Sequence, residues 1–395
     1  MADLVVVGAG PQALTLCALL LQKRSRLHRR LRVVDPGGRW LSRWQRQMER
    51  YEIPWLRSPA PHHPHPNANA LRTFAQAHNR SRELEGPYGL PHTDLFRAFC
   101  GQVITAYQLE ASLQTASVER IRLPQGRSEP LEVALSNGTA LQAQRVVLAT
   151  GSGTPQLPSW VAAIAGDPPA EALQHSDGID LPSLQLRRGE KILIVGGGLT
   201  SAHLALGALR RGARAHLLCR GSLKRKPFDA DPGWLGPKYL KAFQAEPCMQ
   251  RRRRLVLEAR GGGSITPEAA AQLRQAQARG ELQLQEHGQV QAARWSSGAW
   301  DVLCRDGHHL AADRIWLATG HQQGVSQHSL LRQLQQQRPI ALVDDWPVLE
   351  PDLSWPGTSV HVMGALSALQ IGPAARNLFG GREAALRICR AVVKH

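Results

Sequence analysis

Apolar positions fall into short β-branched runs alternating with longer Leu- and Ala-rich stretches. Leu4 to Val7 is a short apolar run closed by Gly8-Ala9-Gly10-Pro11-Gln12-Ala13, after which Leu14, Leu16, Leu19, Leu20 and Leu21 continue a mostly apolar stretch. The first is the length of a buried strand and the second that of a helix, so the pattern predicts strand, glycine turn, helix. Leu31-Arg32-Val33-Val34 resumes the strand pattern and ends at Asp35. Residues 36–95 are expected to be largely irregular, rich in Pro, His and Trp, and connections of that length usually carry function. Helical patterns lie near 68–79 and 92–109. Alternating segments near 118–123 and 131–142, with Asn137-Gly138 as a turn, predict a small antiparallel meander. A strand from Arg145 to Leu148 ends in Ala149-Thr150-Gly151.

The same order then recurs. A Pro- and Gly-rich linker leads to the run Lys191 to Val195, the turn Gly196-Gly197-Gly198-Leu199-Thr200-Ser201, a helix to about Arg211 and a strand over Ala213 to Cys219. Alternating segments over 281–304 are expected as a second meander, and Arg314 to Leu317 ends in Ala318-Thr319-Gly320. A helix near 327–336, a strand near 359–363 and a long helix over about 373–393 follow, and belong with the first cycle. The expected fold class is α/β: two Rossmann-like dinucleotide-binding domains, each with a three-layer sheet and a small antiparallel meander, the second inserted into the first. The expected division is 1–155 (first domain), 156–188 (linker), 189–320 (inserted domain) and 321–395 (return segment).

Each glycine turn has a physical task. The first glycine (Gly8, Gly196) lets the backbone fold back, the second (Gly10, Gly198) leaves room for a pyrophosphate, and a small third residue (Ala13, Ser201) lets helix and strand pack closely. Pro11, Leu199 and Thr200 then open helices whose free N–H groups point at phosphates. The copies differ where the next strand ends. Asp35 can accept hydrogen bonds from the hydroxyls of an unphosphorylated ribose, whereas the second copy ends Leu218-Cys219-Arg220 and continues with Lys224 and Arg225, cations suited to a 2′-phosphate. FAD is therefore expected at the first turn and NADPH at the second.

Composition narrows the alternatives. The 395 residues are 43% hydrophobic and 20% charged, enough apolar material for two or three domain cores, which excludes a disordered, collagen-like or coiled-coil architecture. Without an apolar run near the ~18 residues that span a bilayer, or a basic start before an apolar stretch, the chain is expected to be cytoplasmic. The net charge of +17 is concentrated in 23–32 and in Arg251 to Arg254. Such runs are expected to be solvated faces, with a peripheral anionic surface contact left open, and they lack the interleaved aromatics of a nucleic-acid site. Cys17, Cys100, Cys219, Cys248, Cys304 and Cys389 show no C-x-x-C spacing, which argues for reduced structural thiols and against a disulfide reductase. No metal site is expected, because prolines separate the histidines of the 62–65 segment.

On these residues the chain resembles the class B flavin monooxygenases, especially the lysine and ornithine N-hydroxylating enzymes. Gly37-Gly38-Arg39-Trp40 is similar to a segment running beside the flavin in that family, and Thr150-Gly151 and Thr319-Gly320 resemble the crossings between domains. Gly372-Pro373-Ala374-Ala375-Arg376-Asn377 resembles the start of a last helix facing the isoalloxazine, with Gly364 ahead of it. The resemblance implies FAD contacts at Gly38, Arg39, Trp40, Thr150, Gly151, Gly364, Gly372, Pro373 and Ala374, and NADPH contacts at Thr319 and Gly320. It places Arg57, His62, His63 and His65 beside the flavin and a substrate. The family's linker signature survives only as His175-Ser176, and the segment from Phe228 to Tyr239, with Asp229, Asp231, Trp234 and Lys238, resembles bacterial FAD/NAD(P)-binding proteins. The activity implied is NADPH-dependent monooxygenation of an amine or other soft nucleophile by O2 through a C4a-(hydro)peroxyflavin. Alternatives are an NAD(P)H oxidase, a quinone-reducing flavoprotein or a redox-sensing binding protein.

Overall fold

The computed structural model describes residues 1–124, 129–151 and 153–393. Ala2–Val7 is a central strand, parallel to Leu31–Asp35 on one side and to Ala140–Leu148 on the other. Its Leu4, Val5 and Val6 are fully buried, as expected for a parallel strand covered on both faces. Leu113–Thr115 extends the sheet beyond Leu31–Asp35, and Val360–Val362 from the return segment pairs with Ala140–Leu148.

The first meander is not a separate layer. Val118–Arg122, Leu131–Leu135 and the first half of Ala140–Leu148 are antiparallel, and the same long strand then becomes the parallel neighbour of Ala2–Val7. Its burial changes accordingly, from mostly exposed at Ala140 to fully covered at Leu148.

The second sheet is entirely parallel, in the order Leu173–His175, Arg314–Leu317, Lys191–Val195, Arg214–Leu218, Leu282–Gln285. Two expectations change here. Leu282–Gln285 joins this sheet, so the meander contains only Val290–Ser296, Ala299–Cys304 and His309–Ala312. Leu173–His175, within the segment expected as a linker, supplies an edge strand.

Four helices stand where none was expected. Ser42–Arg50 lies inside the stretch expected to be irregular, and Pro237–Ala245, Met249–Arg260 and Pro267–Ala278 are inserted between strands of the second sheet. Pro237 and Pro267 stand at helix starts, where the missing N–H costs nothing. The Arg251 to Arg254 run lies on Met249–Arg260, and half of it is not a solvated face. Arg252, 8% exposed, donates to the carbonyls of Gln244, Glu246 and Leu369, while Arg253 lies 4.6 Å over the Trp346 ring and pairs with Asp344. Arg251 and Arg254 are exposed.

The last helix is Leu378–Val393, starting later than expected. Residues 372–377 form turns instead, with Gly372 at φ +98° ending the short helix before them. Gly380 lets this turn sit on the helix: a Cβ there would come within 2.1 Å of the Ala374 carbonyl oxygen. The helix packs along Pro11–Lys23. No helix among the described residues is long and apolar enough to cross a membrane.

Candidate functional site

The two glycine turns are built alike. Gly8 has φ +101°, and a Cβ on it would lie 2.6 Å from the Ala149 carbonyl oxygen; one on Gly196 would lie 2.4 Å from that of Ala318. Each Ala-Thr-Gly strand end thus presses on the first glycine of its own turn, where a side chain has no room. Gly10 and Gly198 are the residues before the helices, and a Cβ on either would meet nothing within 4 Å. Ala13 and Ser201 are fully buried, and the Ser201 hydroxyl donates to the Gly198 carbonyl, so it stiffens the turn and does not face outward.

Strand register aligns the copies residue by residue. Gly8 N–H donates to Val34 and Gly196 N–H to Leu218, which makes Cys219 the counterpart of Asp35. The Asp35 carboxylate accepts from the Ala9 N–H at 2.9 Å and the Gly37 N–H at 2.7 Å, holding the first turn and retaining lone pairs for further donors. Cys219 does the reverse: its thiol donates to the Gly196 carbonyl, and burial pushes it up to about 12. Arg220, the next residue, and Lys224 and Arg225 farther along the chain are exposed, and Lys224 donates to the Gly261 carbonyl at 2.7 Å.

Around the first turn, Gly37 and Gly38 admit Ser42 and Thr115 where side chains would collide. Trp40, 4% exposed, gives its indole N–H to the Leu109 carbonyl and therefore acts as an internal brace, while Arg39 is exposed. Gln12 was not anticipated. Its amide donates to the carbonyls of Ala375 and Asn377, tying the helix start to the 372–377 turn, and Gly364 and Gly381 lie against its side chain. Pro373 and Ala374 are buried. Thr150 shares a 2.7 Å hydrogen bond with His328.

Of the four pocket candidates, the three histidines are neighbours, with the His63 and His65 rings 6.4 Å apart and both against Phe99, whereas Arg57 stands apart. Arg57 is committed across the domain boundary, donating to carbonyls of Lys226, Pro227, Phe228 and Ser264. His63, 2% exposed, pairs with the Ala68 carbonyl and stacks edge-on against Phe99; burial holds it down to about 4, a neutral core histidine. His65 accepts from the Asn67 N–H and lies near Phe99 and Tyr107. His62 packs against Phe379 of the last helix.

Other groups gather where the chain crosses between sheets. His175 bonds to the Gly320 carbonyl, His321 to Asp177 at 2.7 Å, and Thr319 to the Gln156 carbonyl. These three groups, His175, Asp177 and His321, come from two crossings far apart in sequence, so only the fold brings them together. Elsewhere, Asp229 pairs with Arg260 and with Arg376 of the return segment. Burial opposes its ionisation, yet Arg376, Arg260 and Arg57 bring it down to about 2.

The six cysteines are all free thiols. Cys17 and Cys389 face one another between the first and last helices, a proximity invisible in sequence spacing, and burial raises both. Neither is on a glycine turn.

A family model of pyridine nucleotide-disulphide oxidoreductases matches residues 2–337. No curated protein sequence matches significantly. Among solved structures, the chain is similar to ornithine N-hydroxylase of Kutzneria sp. 744, solved with reduced FAD, NADP+ and L-ornithine (TM-score 0.81, 15% identity). It is also similar to ornithine hydroxylase of Pseudomonas aeruginosa in its reduced form (0.77, 18%) and L-lysine 6-monooxygenase of Pseudomonas syringae (0.74, 18%). Each match covers 100% of this chain and 99% of the other, and at these identities the likeness is one of fold. With the family model spanning both glycine turns, the chain belongs to the pyridine nucleotide-disulphide oxidoreductase family.

Proposed function

We propose that the protein is an FAD-containing, NADPH-dependent monooxygenase acting on an amine or another soft nucleophile. The observation that carries this reading is the paired construction of the turns: equal in backbone, unequal in the residue that meets the ribose. Asp35 offers acceptors at the first turn, and at the second a buried neutral thiol is followed in the chain by the exposed cations Arg220, Lys224 and Arg225. The residues fit both cofactors, since Gly10 and Gly198 leave open the space beside each helix start.

FAD would accept a hydride from NADPH and, once reduced, pass electrons to O2; one oxygen atom would go to substrate and the other to water. The chain's part is to bind and orient. Helix starts at Pro11 and Leu199 hold phosphates, and Gln12 locks the 372–377 turn to the first helix. Disulfide reduction is disfavoured because the thiol adjoining a nucleotide turn, Cys219, is buried, protonated and single. The full-length likeness to ornithine and lysine hydroxylases supports an amine substrate. O2 as oxidant and a cytoplasmic setting complete the reading.

FAD-loaded protein given NADPH and O2, with and without lysine, ornithine and other amines, tests it. The amine that serves as substrate should appear hydroxylated and lower the hydrogen peroxide released per NADPH. Peroxide equal to NADPH with every amine would make the protein an oxidase, and acceleration by quinones alone a reductase.

A further inference from the structure

We infer that Arg57 is a positioning residue for the second nucleotide: from the first domain it fixes a glycine strap, Gly261-Gly262-Gly263-Ser264, against the Gly196–Gly198 turn. The inference rests on the proposed NADPH site and concerns what holds it in shape.

The strap follows the helix Met249–Arg260, and its three glycines have φ of +58°, +79° and +104°, a conformation that other residues adopt only under strain. Gly263 lies directly on the second glycine turn, where an added Cβ would be 3.3 Å from the Gly198 Cα. The strap is also pinned to the basic loop expected at the 2′-phosphate: Ile265 N–H donates to the Lys224 carbonyl, Lys226 N–H to the Ile265 carbonyl, and the Lys224 ammonium to the Gly261 carbonyl. Strap, glycine turn and basic loop therefore move together.

Arg57 reaches this assembly from outside. Its Nη2 donates to the Lys226 carbonyl at 2.6 Å, the Phe228 carbonyl at 2.9 Å and the Ser264 hydroxyl at 2.8 Å; Nε donates to Pro227 at 3.1 Å and Nη1 to the Ser264 carbonyl at 3.2 Å. Ser264 is 3% exposed. A planar guanidinium can serve acceptors on both sides of the strap at once, which a lysine ammonium on a flexible stem cannot. Upstream of Arg57, Glu52 pairs with Arg210 and Arg211 at the far end of the helix that the second turn opens. The 52–57 segment of the first domain thus grips that helix at its far end and the strap over its start.

The test compares Arg57→Lys with the unaltered FAD-loaded enzyme. The expected result is a KM for NADPH raised about tenfold, the loss of one or two charge-assisted bonds, with kcat at saturating NADPH within about twofold and FAD content unchanged at a temperature where both proteins stay folded. Gly263→Ala, which pushes the strap away from Gly198, should raise the same KM without lowering FAD content. An unchanged KM in Arg57→Lys, or a fall in FAD content and kcat in place of a KM shift, would overturn the inference while leaving the NADPH reading intact. Failure of the unaltered enzyme to oxidise NADPH would overturn that reading, and this inference with it.

Discussion

Single residues distinguish the two glycine turns. The matching positions of Asp35 and Cys219 were legible because each ends an apolar run that the structure makes a strand, with the glycine turns bonded one residue earlier to Val34 and Leu218. Side-chain direction was not. Arg57, His62, His63 and His65 share one loop, yet Arg57 turns toward the other domain, His62 toward the last helix, and His63 and His65 toward Phe99, with Pro59, Pro61 and Pro64 between them. His63 makes a checkable pH statement. It faces the Ala68 carbonyl, Phe99, His65, His62 and Arg382, and its folded value of about 4 lies below the ordinary 6.5. The unfolded chain therefore binds a proton over that window that the folded chain refuses, and stability falls as pH drops from about 6.5 toward 4. Melting at pH 6.5 and 5 should show a loss on the order of 2 kcal/mol from this group, reduced in His63→Gln; equal slopes would contradict it.

At the scale of elements, strands and the helices after glycine turns were readable because they are buried on both faces and their apolar runs are unbroken. The helices Ser42–Arg50 and Met249–Arg260 were not: six residues of the first and seven of the second are charged or amide-bearing, and what stabilises them is contact with other elements. Arg252 illustrates this, since its four neighbours in sequence suggest solvent whereas its partners are carbonyls of Gln244, Glu246 and Leu369. Arg252→Gln leaves these acceptors buried and unmet and should cost about 2–4 kcal/mol in chemical denaturation. Arg254→Gln on the exposed side should change stability by less than about 0.5 kcal/mol. Equal effects at the two positions would return the run to a simple solvated face. The late start of the last helix has a similar origin, because the close seat of Ala374 on Gly380 is a tertiary fact with no local signature.

Across the whole molecule, the repeat of strand, glycine turn, helix and Ala-Thr-Gly crossing made the two-sheet architecture visible from sequence, whereas the segment 50–57 that joins the sheets did not announce itself. Tyr51 sits in the core of the second domain, Arg50 donates to the Asp177 carbonyl, and Glu52 and Arg57 reach two ends of the same nucleotide-binding unit. Contacts of this kind depend on where two domains meet, which no local period records. They fix the segment 50–57 of the first domain against the second. The most direct measurement of the two-cofactor reading is anaerobic bleaching of the bound flavin by NADPH and by NADH at equal concentration. The account predicts a yellow protein bleached at least about tenfold faster by NADPH, the worth of one or two charge-assisted phosphate contacts. A protein that takes up no FAD, or that NADH bleaches equally fast, would contradict it.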